Sequence, residues 1–410
     1  MVQIAPFRGI LYNEKKIRDL SKVIAPPYDV ITPEEQDRLC RKSPYNFVRL
    51  ILSQEPEPYE SVARLFEGWR AEGIFVRDDR PALYFLSHRF SDNEGKTRER
   101  LGFIALARIE DFSTGAIRPH EKTLAAPKED RLRLMLACHA NLSPIFALYA
   151  HPKQTINNAM MEQAQGVAPT LEVKEDGGGT CLLWRISDPE VIRLAQREMA
   201  ERPLLIADGH HRYEAALNYR NRLREERKNF SGREPFNYVM MYFSNMNDDG
   251  LVILPTHRLV RSFPSIPFQK LEEELQRHFY LEPYPKTPEG QRWLKSKRIM
   301  QRLAKDLSDP LRDLDVSALH LLILAHILGI PPEEQVQGEV ISYSQDEERV
   351  LKAVDKEDYQ AAFILNPPKP EEILAVVQRG EKMPQKSTYF YPKLISGLVI
   401  NKIDADEEVA

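Results

Sequence analysis

The chain has little cysteine, no long apolar run and almost no net charge, and each shortage excludes a class of protein. Its 410 residues include three cysteines, Cys40, Cys138 and Cys181, which are far apart and form no CxxC pair. A disulfide framework or a cysteine-based zinc site is therefore not expected. Free, mostly buried thiols in a reducing cytoplasm fit better. No run of about 18 apolar residues occurs, so no membrane span is expected. The start, MVQIAPFRGILY, lacks the basic and apolar stretches of a secretory signal. Lys and Arg number 57 against 61 Asp and Glu, for a net charge of −4. A protein built to coat nucleic acid would carry a basic excess, so nucleic acid is not an expected partner. HExxH, GxSxG, a Rossmann glycine fingerprint, a Walker loop and an EF-hand loop are also missing. Zincins, α/β-hydrolases, ordinary dehydrogenases and P-loop NTPases are thereby set aside as first choices.

What is present is ample for folded cores, with 42% apolar residues in a chain longer than one core usually supports. The expected division is an N-terminal α+β domain over 1–150, an α/β core over 151–262 and a C-terminal α+β domain over 263–410. Thr32-Pro33-Glu34-Glu35 is a helix start, with Thr as the cap and Pro in the first turn. YNFVRLIL (45–52) reads as a strand, and 60–72 as a helix with Val62, Leu65, Phe66 and Trp69 on one face. ALYFLSHRF and RLGFIALARIEDF read as a hairpin. FNYVMMYFSNM and LVILPTHRLV read as paired strands about the turn NDDG. Helices are expected over 268–279, 290–307 and 317–328.

The densest chemistry lies in PLLIADGHHRYEAALNY (203–219). Leu204–Ala207 is an apolar run suited to a buried strand, Asp208-Gly209 turns the chain, and His210 onward has helical spacing. Such a corner gathers backbone N–H groups and partial positive charge at one point. Two imidazoles, a guanidinium and a carboxylate there suit phosphate, metal or proton-transfer chemistry. Taken singly, Asp208 is equally a turn or cap residue and the histidines equally solvated polar groups.

Three weaker clusters accompany it. Arg118-Pro119-His120-Glu121-Lys122-Thr123, with Lys128, Asp130 and Arg131 behind it, falls on a loop between a strand and a helix. There His120 and Glu121 could relay a proton, and Arg118 or Lys122 could bind a phosphate oxygen. Thr256-His257-Arg258 ends an apolar run. Lys386-Ser387-Thr388, near Tyr389, Tyr391 and Lys393, has no preceding Walker glycines. Residues 120–121 and 210–212 are expected to share one cleft, because together they make a complete acid/base and anion site.

APPYDVI, NFVRL, RPHEKT…PKEDR, ADGHHRYEAA, LPTHRLV and MPQKSTYFYPKL, in this order, resemble a widespread bacterial and archaeal family known only as a conserved domain of unknown function. ADGHHRYE is the most specific of these strings. The D-G-H-H-R turn is in turn similar to the Gly/His/Arg turn of the ParB–sulfiredoxin superfamily, which includes free-serine kinases. That resemblance implies an α/β (α+β mixed) fold, a ParB/sulfiredoxin-like mixed-sheet core with additional α+β segments. It carries Asp208, Gly209, His210, His211 and Arg212 over as nucleotide-phosphate residues. No reactive cysteine stands at the turn, so sulfiredoxin activity is not implied.

The expectation is a cytoplasmic phosphotransfer enzyme acting on free serine or O-phosphoserine, as kinase or phosphatase, with ADP or ATP and Mg²⁺. Its partner is a small phosphorylated molecule. Catalytic candidates are His120, Glu121, Asp208, His210 and His211, with Asp208 or Glu121 as the metal ligand. Gly209, Arg212, Arg118, Lys122, His257 and Arg258 are the cofactor-binding candidates. The rivals are a ParB-like nucleotide-binding regulator without turnover and a metal-dependent hydrolase.

Overall fold

The computed structural model describes residues 1–227, 230–263, 268–278, 308–335, 340–404 and 407–409. It forms two compact units. One takes Met1–Pro119, Thr123–Val252 and Phe390–Ala410, the other His120–Lys122 and Ile253–Tyr389.

The first unit is built on a nine-stranded mixed sheet. Its strands are β1 (Ile4–Ala5), β2 (Leu83–Ser91), β3 (Thr97–Arg108), β4 (Ile117–Pro119), β5 (Ile145–Tyr149), β6 (Leu171–Lys174), β7 (Thr180–Ile186), β8 (Leu204–Asp208) and β9 (Tyr238–Asn245). They lie in the order β4-β8-β5-β9-β3-β2-β7-β6, with β1 added on β3. β8 runs parallel to β4, β9 runs parallel to β5, and the other pairings are antiparallel. The expected mixed α/β class is thus observed.

The expected break at residue 150 falls inside this sheet. β9 lies between β5 and β3, so strands from both sides of that break share hydrogen bonds. Every residue of β9 is buried, which is why its sequence is almost continuously apolar instead of alternating. One sheet face stacks Phe103 on Phe243, with ring centroids 5.0 Å apart. The same core takes in Ile145, Leu204 and Ile206 of neighbouring strands.

Helices α1 (Pro33–Lys42), α2 (Val48–Ile51), α3 (Pro58–Ala71), α4 (Ala125–Cys138) and α5 (His210–Glu226) belong to this unit. Thr32 caps α1 by accepting the Glu35 N–H, as its sequence requires. Segment 45–52 is not a strand, because α2 occupies its second half. The buried Asn46 explains this: its side-chain oxygen takes the Val48 N–H and its amide donates to the carbonyls of Lys22 and Ile24. A side chain that satisfies its own backbone diverts the chain from a sheet ladder. All three cysteines are free, and burial raises the Cys138 thiol to about 12.

In the second unit, β10 (His257–Val260) is the middle strand between β11 (Ile341–Ser344) and β12 (Ala361–Phe363), antiparallel to both. The expected pairing of this segment with the 236–246 strand does not form, because β9 is already enclosed on both edges. Val260 and Ile341 meet Leu319, Leu322, Ile323 and Leu324 in the core. Residues 315–327 are helical as expected, with a π-helical stretch from Leu319 to Ile327. The helix expected over 268–279 spans Phe268–Gln276. The one expected over 290–307 lies outside the described residues.

Candidate functional site

β8 ends at Asp208, Gly209 turns the chain at φ +91°, and α5 begins at His210. The strand–turn–helix expected from the sequence is therefore present. The left-handed φ favours glycine for backbone reasons. Space demands it as well, since a Cβ on Gly209 would sit 2.9 Å from Nε and Nη2 of Arg212. Arg212 folds back over the turn that precedes it. α5 is held to the sheet by the buried Tyr213, Ala216 and Tyr219, and the Tyr213 hydroxyl donates to the Glu110 carbonyl at 2.6 Å.

The turn carries two cations for one carboxylate. Arg212 Nη2 donates to Asp208 Oδ2 at 2.7 Å, and Lys393 Nζ donates to Asp208 Oδ1. All three side chains are at most 15% exposed. Burial alone would raise the Asp208 carboxyl. The Lys393 ammonium and then the Arg212 guanidinium outweigh it and hold the group well below the usual carboxylate range. Arg212 Nη1 donates to the Pro144 carbonyl, while Nε is buried without a hydrogen-bond partner among the described residues. Arg212 thus clamps the turn. It also lines a small cleft with Tyr28, Arg131, Asn141 and Ser143. Arg131 lies 4.0 Å over the Tyr28 ring, which places the expected polar group of APPYDVI beside this cleft.

His210 is buried and His211 partly so. His211 Nε2 accepts the Leu124 N–H at 3.0 Å, which leaves Nδ1 to carry the proton of the neutral ring. Glu214, one turn on, receives the Thr123 hydroxyl at 2.8 Å and the Lys128 ammonium at 2.9 Å. Arg118 lies on β4 opposite Leu205 of β8, and its Nε donates to the Gly115 carbonyl at 3.0 Å.

The other candidates meet inside the second unit. His120 is buried, with Nε2 2.8 Å from the Thr388 hydroxyl and 3.7 Å from Glu121 Oε1. Glu121 Oε1 accepts the Ser387 N–H at 3.2 Å, and the Lys122 carbonyl accepts from Gln385 at 3.2 Å. Arg258 Nη2 donates to the Lys386 carbonyl at 3.1 Å. Segment 385–388 therefore gathers two clusters that the sequence separates by more than a hundred residues. His257 and Arg258 are buried on β10. His257 Nδ1 accepts the Leu365 N–H at 3.1 Å, and burial lowers its pKa.

As a magnesium ligand Asp208 does not fit, because each of its oxygens already receives a cationic donor. Among the described residues, His88, Glu175 and Cys181 place ligand atoms within 4.8 Å of one another. Arg100 Nη2 lies 3.4 Å from His88 Nδ1 and can only donate. The imidazole proton is thereby directed to Nε2, 2.9 Å from Glu175 Oε1. A nitrogen that carries a proton is no metal ligand, so the group is a buried polar relay across β3, β2 and β7.

The sequence did not reveal that Lys393 pairs with Asp208, 185 residues away. Its one visible signal is a lysine set among tyrosines and leucines.

Fold and site define a mixed α/β protein with a cationic strand–glycine–helix corner. The chain belongs to the family described as "Protein of unknown function (DUF1015)", whose model matches residues 4–317. No curated protein matches it. Among solved structures it is similar to a free serine kinase in complex with AMP, at 14% identity and TM-score 0.31, covering 67% of this chain and 83% of that one. It is similar to a conserved hypothetical protein from Pyrococcus furiosus at 15% identity and TM-score 0.33, covering 71% and 94%. SbnI from Staphylococcus aureus is similar at 12% identity and TM-score 0.36, covering 74% and 90%. Among the described residues, no helix is long and apolar enough to cross a membrane.

Proposed function

We propose that the protein transfers a phosphoryl group to or from the hydroxyl of free serine, with ADP or ATP as the nucleotide partner. The observation that carries this reading is the Gly209 corner. Lys393 and Arg212 share the single carboxylate of Asp208 at the N-terminus of the 17-residue α5. Two cationic side chains thus meet at one carboxylate, where the helix dipole also favours an anion. A nucleotide phosphate would meet both cations there, with backbone N–H groups at Gly209 as further donors.

In the kinase direction the serine oxygen bonds to phosphorus, the bond from phosphorus to the nucleotide oxygen breaks, and the hydroxyl proton passes to a base. Glu121 and His120 are proposed as the base pair of the second unit, and His210 and His211 as the proton donors of the first. Asp208 positions Arg212 and Lys393. Arg118, Lys122, His257 and Arg258 remain proposed anion-side residues. When bound, Mg²⁺ neutralises phosphate charge, and no step passes through it at Asp208.

The test is phosphorus NMR of the purified protein with L-serine plus ATP or ADP, and separately with O-phospho-L-serine, each with and without Mg²⁺. A new phosphorus resonance in any mixture is expected and gives the direction of transfer. Nucleotide binding with unchanged spectra in every mixture refutes the enzyme and leaves a regulator.

A further inference from the structure

The second unit holds a cavity of about 440 Å³ whose walls include Thr256, Arg258, Ser387, Lys369, Asp313 and Asp315. Its size is that of a small-molecule site. Arg258 is fully buried, yet it makes no ion pair among the described residues. Its end nitrogens donate only to the carbonyls of Thr256, Lys386 and Gln385, and its guanidinium lies 5.4 Å from the Tyr343 ring centroid. Nε of Arg258 and the hydroxyl of Thr256 are both buried without a hydrogen-bond partner among the described residues. A buried cation that makes no ion pair and two donors without a partner, all among the described residues and all from residues that line one cavity, are costly unless an anion completes them.

The same cavity has an acidic side. Asp313 precedes the 315–318 helix and Asp315 opens it, and Asp315 Oδ2 accepts from Asn366 at 3.1 Å. A third lining carboxylate, Glu372, accepts the Lys369 N–H at 2.9 Å and closes the start of α6 (Pro370–Gln378). Purely anionic ligands would meet Asp313 and Asp315, and purely cationic ones Arg258. A ligand bearing both charges satisfies both.

We propose that this cavity binds a small zwitterion of the α-amino-acid class, with its carboxylate at Arg258 and Thr256 and its ammonium at Asp313 and Asp315. Ser387 joins this pocket to the proposed base, since its N–H holds Glu121 and its side chain lines the cavity. The inference deepens the proposed phosphotransfer, on which it rests only for the choice of serine as first probe.

Isothermal titration calorimetry without nucleotide tests it, using L-serine, O-phospho-L-serine, N-acetyl-L-serine, which lacks the ammonium, and serinol, which lacks the carboxylate. One of the two intact amino acids is expected to bind, and both truncated analogues at least about tenfold more weakly, as for loss of a charged hydrogen bond. Removing Arg258 threatens the fold, so Thr256→Val is the sharper variant. It deletes a hydroxyl that has no partner, and so should leave the melting temperature unchanged or raised while weakening binding about tenfold. Asp315→Asn should lose affinity for serine but not for N-acetyl-L-serine. No amino-acid binding overturns the pocket, as does binding that Thr256→Val and Asp315→Asn leave untouched. Binding without turnover refutes the phosphotransfer and keeps the pocket. Turnover whose KM for serine ignores both substitutions does the reverse.

Discussion

Two arginines, one in each unit, are solved differently: Arg212 is largely buried and Arg258 fully so. Arg212 in the first unit has a carboxylate, Asp208, which it shares with Lys393. Arg258 in the second has carbonyls and an aromatic face but no ion pair among the described residues. A buried charge must be matched within the protein or by a ligand. The first corner is therefore a clamp closed by an ion pair, and the second an arginine held by carbonyls and an aromatic face. Burial lowers the Arg258 pKa to about 10, against the opposing influence of Tyr343 and Glu121.

The sharpest way to break this comparison is Asp208→Asn. It removes the carboxylate that Arg212 and Lys393 share in a largely buried site and should cost about 3–5 kcal/mol in urea unfolding at neutral pH. Arg258→Met removes an unpaired cation and leaves only carbonyls wanting donors, so it should cost less, about 1–3 kcal/mol. Equal losses in the two variants would erase the distinction between matched and unmatched arginines.

Next comes Gly209→Ala. The left-handed φ by itself should cost roughly 1–2 kcal/mol, and the added Cβ must displace the guanidinium 2.9 Å away. Nucleotide affinity should fall with stability. A variant that melts early but binds nucleotide as tightly as the parent would detach Arg212 from the phosphate.

Arg212→Lys is milder. An ammonium can keep Asp208 but cannot reach the Pro144 carbonyl with a second donor, so a loss of about 0.5–1.5 kcal/mol is expected. The measurement is the difference in denaturant midpoint from Arg212→Ala, which should be the less stable of the two.

Near neutral pH the smallest effect concerns His320, whose pKa is lowered to about 4 by burial first and by Arg258 second. Between about 4 and the ordinary 6.5 the unfolded chain binds a proton that the folded chain refuses. Stability should be fully present above this window and decline as pH falls through it. His320→Gln should flatten that slope in thermal melts at stepped pH. An unchanged slope would mean that the ring is not kept neutral by its surroundings.

Much of the first site could be read in the sequence because it is local. Leu204–Ala207, Gly209 and the spacing from His210 specify strand, turn and helix within one short segment, and these elements formed as read. Segment 45–52 misled because its apolar content fits strand and helix alike, and the buried hydrogen bonds of Asn46 decided for a helix. The pairing of 252–260 misled because turn chemistry suggests a hairpin but cannot show that β9 is already enclosed on both edges.

By itself the sequence determined the mixed α/β class, the free thiols and the Asp208–Arg212 corner, since each depends on residues close together in the chain or on composition. Tertiary structure alone decided that Lys393 completes Asp208, that Arg212 turns back over Gly209, and that segment 385–388 joins His120 and Glu121 to Arg258. The physical reason is that backbone hydrogen bonding and turn geometry act over a few residues. Which charges meet in a dry interior depends on how distant segments are folded onto one another.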